Sequence, residues 1–193
     1  LGSALARSLF DSSNPTVGLL NVGTEEVKGL DYIKEAGKIL SDASGAGFTY
    51  HGFVEGSDIG KGTVDVVVTE GFVGNIALKT AEGTARQVAS YLRSALSATL
   101  MSKIGALFAS SALRALKHKM DPRTVNGGVF MGLNGIVIKS HGGTDEIGYK
   151  SALGLAYEMA RSRLMDKIGD NMQRFPIHTA APSTPPETEA KSA

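Results

Sequence analysis

Val64-Asp65-Val66-Val67-Val68-Thr69-Glu70-Gly71-Phe72-Val73-Gly74-Asn75-Ile76-Ala77-Leu78-Lys79 is the stretch whose reading sets the fold class. A β-branched run, Val64 to Val68, gives way to the glycine-punctuated Thr69 to Asn75 and then to helical spacing through Ile76, Thr80, Val88 and Leu92. The order is strand, loop, helix. Two further short apolar runs precede it, Val17 to Val22 and Phe48 to Val54. Between them, Tyr32 to Leu40 spaces Ile33, Ala36 and Leu40 as a helix does, with Asp31 as the expected N-cap. Strands alternating with helices predict a parallel α/β sheet.

Outward from this centre, Leu1 to Phe10 reads as the tail of a helix ending at the Asn14-Pro15 turn. Residue 1 is leucine, so the chain is expected to start partway through a gene product. Tyr91 to Met120 stays helical, with Gly105 and Ser110-Ser111 as expected bends that divide it into a helix pair over about 92–120. Val129 to Leu133 and Ile136 to Lys139 flank Asn134-Gly135, which predicts a hairpin with a type I′ turn. A last amphipathic helix is predicted from Asp145 to Ile168, burying Leu153, Ala156, Met159, Ala160 and Leu164. Residues 176–193 are rich in Pro, Thr, Ala and Glu and read as a disordered tail.

Composition narrows the function classes. With 193 residues, 42% hydrophobic and 20% charged, the chain suffices for one compact domain. Twenty Lys and Arg against 19 Asp and Glu leave a net charge of +1, so no global basic field points to nucleic acid. Zero cysteines exclude disulfides, thiolate metal sites and a cysteine acyl-enzyme, and fit a reducing compartment. His51, His118, His141 and His178 show no paired ligand spacing, so no metal site is expected. No run of about 18 apolar residues occurs, and the opening lacks a signal-peptide pattern; the protein is expected to be soluble or peripheral.

Three loops carry candidate chemistry. Leu20 to Gly29 follows a predicted strand, where open α/β sheets place ligands, and Lys28 there can neutralise an anion. The alternative is a solvated loop with a surface lysine. Glu70 to Lys79 joins a glycine-rich entry to a helix N-terminus, an environment of oriented N–H groups suited to anions. Asn75 and Lys79 lie four apart, one above the other on that helix, and can face one bound group. Alternatively, Asn75 is an N-cap and Lys79 pairs with Glu82. Lys139 to Thr144 puts His141 near another helix start, either as a proton donor or as a structural histidine. Neither a nucleotide phosphate loop nor a serine-hydrolase elbow occurs.

A fourth feature is physical. Ile104, Leu107, Phe108, Leu113 and Leu116 form an apolar face bordered by Lys103, Arg114, Lys117, Lys119 and Arg123. Such a face suits an anionic lipid surface, an acidic partner, a dimer contact or plain core packing.

Taken together, Val17-Gly-Leu-Leu-Asn-Val-Gly-Thr-Glu-Glu-Val-Lys28-Gly, the Val64 to Lys79 stretch and Gly132-Leu-Asn-Gly-Ile-Val-Ile-Lys-Ser-His141-Gly closely resemble the bacterial phosphate acyltransferase family, PlsX. The resemblance covers about residues 1–170 and looks like the C-terminal half of that family. It implies a partial Rossmann-like sheet of the isopropylmalate dehydrogenase/phosphotransacetylase type, with a projecting helix pair and a β-hairpin. Family members usually begin with a strand and an Asp-x-Met-Gly-Gly-Asp loop, which this sequence lacks, so a truncated chain is implied.

The activity implied is transfer of a long-chain acyl group from acyl carrier protein to inorganic phosphate, in phospholipid and fatty acid metabolism, with no cofactor. By that resemblance Lys28 and Lys79 would bind anion, Asn75 would position a carbonyl or phosphate, and His141 would serve the leaving thiolate. Asn21, Glu26, Gly74 and Asn134 complete the expected substrate-binding set, and Glu70 stands where aspartate is common. The helix pair would contact a second subunit, the acidic carrier protein or a membrane, giving a cytoplasmic, peripherally membrane-associated homodimer. The competing readings are a short-chain acyl-coenzyme A enzyme and a non-catalytic membrane- or partner-binding fragment.

Overall fold

The computed structural model describes residues 1–10 and 12–173. The tail expected at 176–193 lies outside the described residues, as does His178. Three strands, β1 (Thr16–Leu20), β2 (Thr49–Val54) and β3 (Val66–Val68), form a parallel sheet in the order β2-β1-β3, as the alternating pattern predicts. Leu19 is in register with Phe53 on one side and with Val68 on the other. β1 is central, and Val17 to Leu20 are all buried, which is why the strand reads as an unbroken apolar run. Gly18 belongs to that packing. A Cβ there would lie 2.7 Å from Val54 Cγ1 and 3.1 Å from Val64 Cγ2, so the valines close over the glycine.

Helix α1 (Gly2–Phe10) packs on β3 and on two later helices, α7 (Glu146–Arg161) and α8 (Leu164–Gln173). Ala4 and Ala6 of α1, Val17 and Leu19 of β1, and Met159 and Leu164 make the buried centre, with Met159 at 0% exposure. Helix α2 (Asp31–Asp42) packs on β2. Its N-cap is Leu30, without a side-chain cap; Asp31, expected there, is already helical and pairs with Lys34 at 2.8 Å. A short helix α3 (Gly56–Lys61) leads into β3.

Helix α4 (Gly71–Ser97) has 27 residues, which corresponds to roughly 40 Å at about 1.5 Å per residue. It is followed by α5 (Leu100–Phe108) and α6 (Ser110–Lys119), so the expected pair over 92–120 is the end of α4 and two short helices. The chain breaks at Ala98-Thr99, where Thr99 Oγ1 accepts the Ser102 N–H at 3.0 Å, and again at Ala109. Gly105, an expected bend, stays helical: a hydroxyl able to cap decides a break better than a mid-helix glycine does. No helix of the described residues is long and apolar enough to cross a membrane.

A 3₁₀ turn (Pro122–Val125) leads to the hairpin of β4 (Gly128–Val129) and β5 (Ile138–Lys139), paired antiparallel with Gly128 opposite Lys139. The hairpin forms, but the Asn134-Gly135 type I′ turn does not. The Phe130 N–H to Val137 carbonyl bond, 2.9 Å, is the last rung, and positive φ falls on Gly132 (+87°) and not on Asn134. The predicted last helix is divided too. Arg163, at φ +55°, ends one helical run and starts the next. Met159 and Leu164 are buried as predicted, Ala156 is half-buried, and Leu153 and Ala160 are exposed.

Candidate functional site

The parallel register brings the carboxyl ends of all three strands to one edge of the sheet, where the loops after β1 and β3 begin. The β1 loop is built around Asn21. Its N–H donates to the Val54 carbonyl at 2.9 Å, and its Nδ2 donates to the Lys28 carbonyl at 3.0 Å. At 7% exposure, Asn21 lies beneath the loop, and its Oδ1 is buried without a hydrogen-bond partner among the described residues. Gly29, at φ +90°, lies against that carboxamide so tightly that no Cβ fits.

Gly23 serves the same loop differently: a Cβ there would lie 2.6 Å from Lys28 Cδ, so the glycine gives the lysine stem its path. Lys28 Nζ then meets Glu25 at 2.8 Å, a hydrogen bond that raises the lysine pKa and lowers that of Glu25; the Glu55 charge also favours the ammonium. Glu26 faces a separate cavity of about 710 Å³, lined also by Asp31, Lys34, Glu35 and Lys38.

At the β3 end, the loop expected over Thr69 to Asn75 is helical from Gly71. The expected anion cradle already holds an anion, the chain's own Glu70. Glu70 Oε2 accepts the Phe72 N–H and Oε1 the Val73 N–H, both at 2.6 Å, while its carbonyl accepts the Gly74 N–H at 3.0 Å. Gly74 lies where a Cβ would meet Thr69 Cγ2 at 2.7 Å, so it lets the turn close. Asn75 is thus inside the helix and not its cap, and Glu82 pairs with Arg86, at 3.9 Å, rather than with Lys79. Asn75 and Lys79 are exposed on the first turns of α4.

His141 stands at a second place. A groove of about 950 Å³ runs between the later part of α4 and α6, and His141 and Thr144 lie along its wall. Val88, Leu92, Leu96, Leu113 and Leu116 give it an apolar floor, and Arg86, Arg93, Lys117 and Arg123 give it cations. Leu113, grouped in sequence with the exposed apolar face, lines this groove, whereas Leu107 and Phe108 are 72% and 85% exposed on α5 and Ile104 is partly exposed beside them. Lys28, Asn75, Lys79 and Asn134 line neither cavity. Lys79 precedes the groove residue Glu82 by three positions, roughly 4.5 Å of helix rise, so it stands just beyond the groove. Among the described residues no three His, Asp or Glu side chains gather as metal ligands do.

Residues 1–167 match the family described as "Fatty acid synthesis protein". The chain belongs to that family. Over 175 residues, 91% of the chain, it is 62% identical to a protein named phosphate acyltransferase from Mesorhizobium japonicum, covering 49% of that protein. Over an equal stretch it is 64% identical to the proteins of that name from Brucella ovis and Brucella abortus, covering 51% of each. The chain therefore spans about half the length of the curated relatives it matches. In this family member, sequence reasoning missed Asn126, a buried hydrogen-bonding centre behind His141, because a single asparagine before Gly127-Gly128 carries no periodic signal. It also missed that Arg123 is held by Asp121 and Asp145, since those partners lie on either side of the hairpin.

Proposed function

We propose that this chain contributes to a phosphate acyltransferase that moves a long-chain acyl group from acyl carrier protein to inorganic phosphate. The observation that carries this reading is the 62–64% identity, over 91% of the chain, to relatives bearing the name phosphate acyltransferase. The apolar groove beside His141 supports it, because a long acyl chain needs an apolar surface close to the reacting carbonyl.

In this reading a phosphate oxygen attacks the thioester carbonyl carbon, the carbonyl becomes an oxyanion, and the carbon–sulfur bond then breaks. The products are acyl phosphate and the carrier thiol. Lys28 and Lys79 offset the charge of phosphate and oxyanion, Asn75 orients a carbonyl or phosphate oxygen, and His141 delivers a proton to the leaving thiolate. Asn21, Glu26, Gly74 and Asn134 shape the substrate-binding loops. The sheet is read as part of a Rossmann-like domain of the isopropylmalate dehydrogenase type, with residues 1–170 as its C-terminal portion. Ile104, Leu107 and Phe108 are read as the contact with lipid, carrier protein or a second copy in a cytoplasmic homodimer.

The test supplies long-chain acyl carrier protein and phosphate and traps acyl phosphate as its hydroxamate. Phosphate-dependent hydroxamate is expected. Product from acetyl coenzyme A alone would favour a short-chain enzyme instead. A second reading, a binding fragment without turnover, is favoured by the half-length match and by Lys28 and Lys79 lining neither of the two cavities described above. Sedimentation with anionic liposomes and no phosphate-dependent product would select it.

A further inference from the structure

Asn126 is 9% exposed, and its carboxamide ties its own stretch of chain to Ser140, His141, Thr144 and Gly148, which lie 14 to 22 positions further on. Nδ2 has two hydrogens for three acceptors, Ser140 Oγ at 2.8 Å, the Gly148 carbonyl at 2.8 Å and Thr144 Oγ1 at 3.0 Å, so one hydrogen is shared. Oδ1 accepts the backbone N–H of His141 at 3.0 Å. The two ends of this carboxamide are not interchangeable. The Gly148 carbonyl only accepts and the His141 N–H only donates, so an amide satisfies both, while a carboxylate would set one oxygen against another.

The surroundings keep this geometry rigid. Gly148 has no room for a side chain, because a Cβ there would collide with Thr144 Oγ1 and lie 3.3 Å from Asn126 Nδ2. Asp145 Oδ1 accepts the Gly148 N–H at 3.0 Å, and Ser151 Oγ donates to the Thr124 carbonyl at 3.1 Å, tying α7 to the 3₁₀ turn. The His141 loop is therefore fastened from behind while its front faces the groove.

We propose that Asn126 is a positioning residue that holds His141 at the groove wall through the His141 backbone N–H. This rests on the reading that His141 serves the acyl transfer. Asn126 acts through His141 and touches no reacting atom in this assignment.

The test is made on the whole chain, with Asn126→Ala, which removes the acceptor of the His141 N–H, and His141→Ala. In Asn126→Ala, exchange of the His141 amide is expected to accelerate at least about tenfold, while helix content is kept. Turnover, kcat, is expected to fall about 10- to 100-fold with KM for phosphate unchanged, because misplacement of a reacting group is felt in the chemical step. A purely structural role would lower stability and leave the kcat of the folded fraction and its pH profile as they were. Unchanged His141 exchange overturns the proposal, and so does full turnover with the amide released. His141→Ala isolates the underlying reading: if it leaves turnover intact, that reading fails, and the Asn126 tether is judged by exchange alone. If Asn126→Ala does not fold, the unsubstituted protein still decides. A coupling across the hydrogen bond, from the His141 nitrogen to the Asn126 carboxamide carbon, supports the tether, and a fast-exchanging His141 amide overturns it.

Discussion

Arg123 Nη1 lies 3.0 Å from Asp145 Oδ2, a bond that spans 22 residues and ties the 3₁₀ turn after α6 to the N-cap of α7. The same guanidinium holds Asp121, with Nη2 2.6 Å from Oδ2. Asp145 uses its other oxygen to accept the Gly148 N–H, so both of its oxygens are engaged. Asp121 and Arg123 of this clamp line the same groove as His141.

Acid should release the clamp only at low pH. The Arg123 hydrogen bonds hold the Asp121 pKa down to about 2, and the Gly148 N–H, then Arg123, lowers that of Asp145. A carboxyl group with a folded pKa below its unfolded value, near 3.9, contributes its full stability above that value and loses it as pH falls through the folded one. Carbon-13 carboxyl titration should therefore find both midpoints below the ordinary carboxyl range, that of Asp121 at about 2. Arg123→Gln should move both midpoints upward; ordinary midpoints in the parent protein would refute the clamp.

Gly29→Ala should destabilise the β1 loop. The position is at φ +90° and abuts the Asn21 carboxamide. Left-handed backbone alone costs an alanine about 1–2 kcal/mol, and the collision adds to it. A lower urea midpoint is the expected result, and an unchanged one would contradict the packing described.

Met159→Ala and Leu153→Ala separate core from surface on one helix. Met159 is fully buried, and its truncation should cost about 2–5 kcal/mol. Leu153 is exposed, so its truncation should stay within about 0.5 kcal/mol. Thermal unfolding of the two variants measures the contrast; equal losses would place Leu153 in a core.

Lys79→Ala should lower kcat/KM by about 10²- to 10³-fold, the scale of removing one charge-stabilising donor. Folding should be retained, since Lys79 is exposed on α4 and alanine favours helix. An unaltered kcat/KM would remove Lys79 from the site.

Leu107→Asp with Phe108→Asp should abolish sedimentation with anionic vesicles while circular dichroism stays unchanged, because both side chains project from α5. Undiminished vesicle binding would assign that face another partner.

The parallel sheet was legible because Val17 to Val22, Phe48 to Val54 and Val64 to Val68 are short apolar runs separated by helical spacing, and period is a local property. The hairpin was legible from its flanking strands, but its turn was not: the Asn134-Gly135 signal gave way where pairing stopped at Phe130 and Val137. The anion cradle at the start of α4 was read correctly as a cluster of N–H donors, yet a local carboxylate, Glu70, reached them first.

Sequence by itself therefore determined the alternation of strands and helices, the family, and the residue types able to carry charge or protons, since these depend on neighbours along the chain. Tertiary structure alone decided which side chains meet. It set His141 in a groove with Leu92 and Leu116 and drew Asn126 to His141 and Gly148. Hydrogen bonds are short-ranged and directional, so such meetings depend on how distant segments pack, which no periodicity encodes.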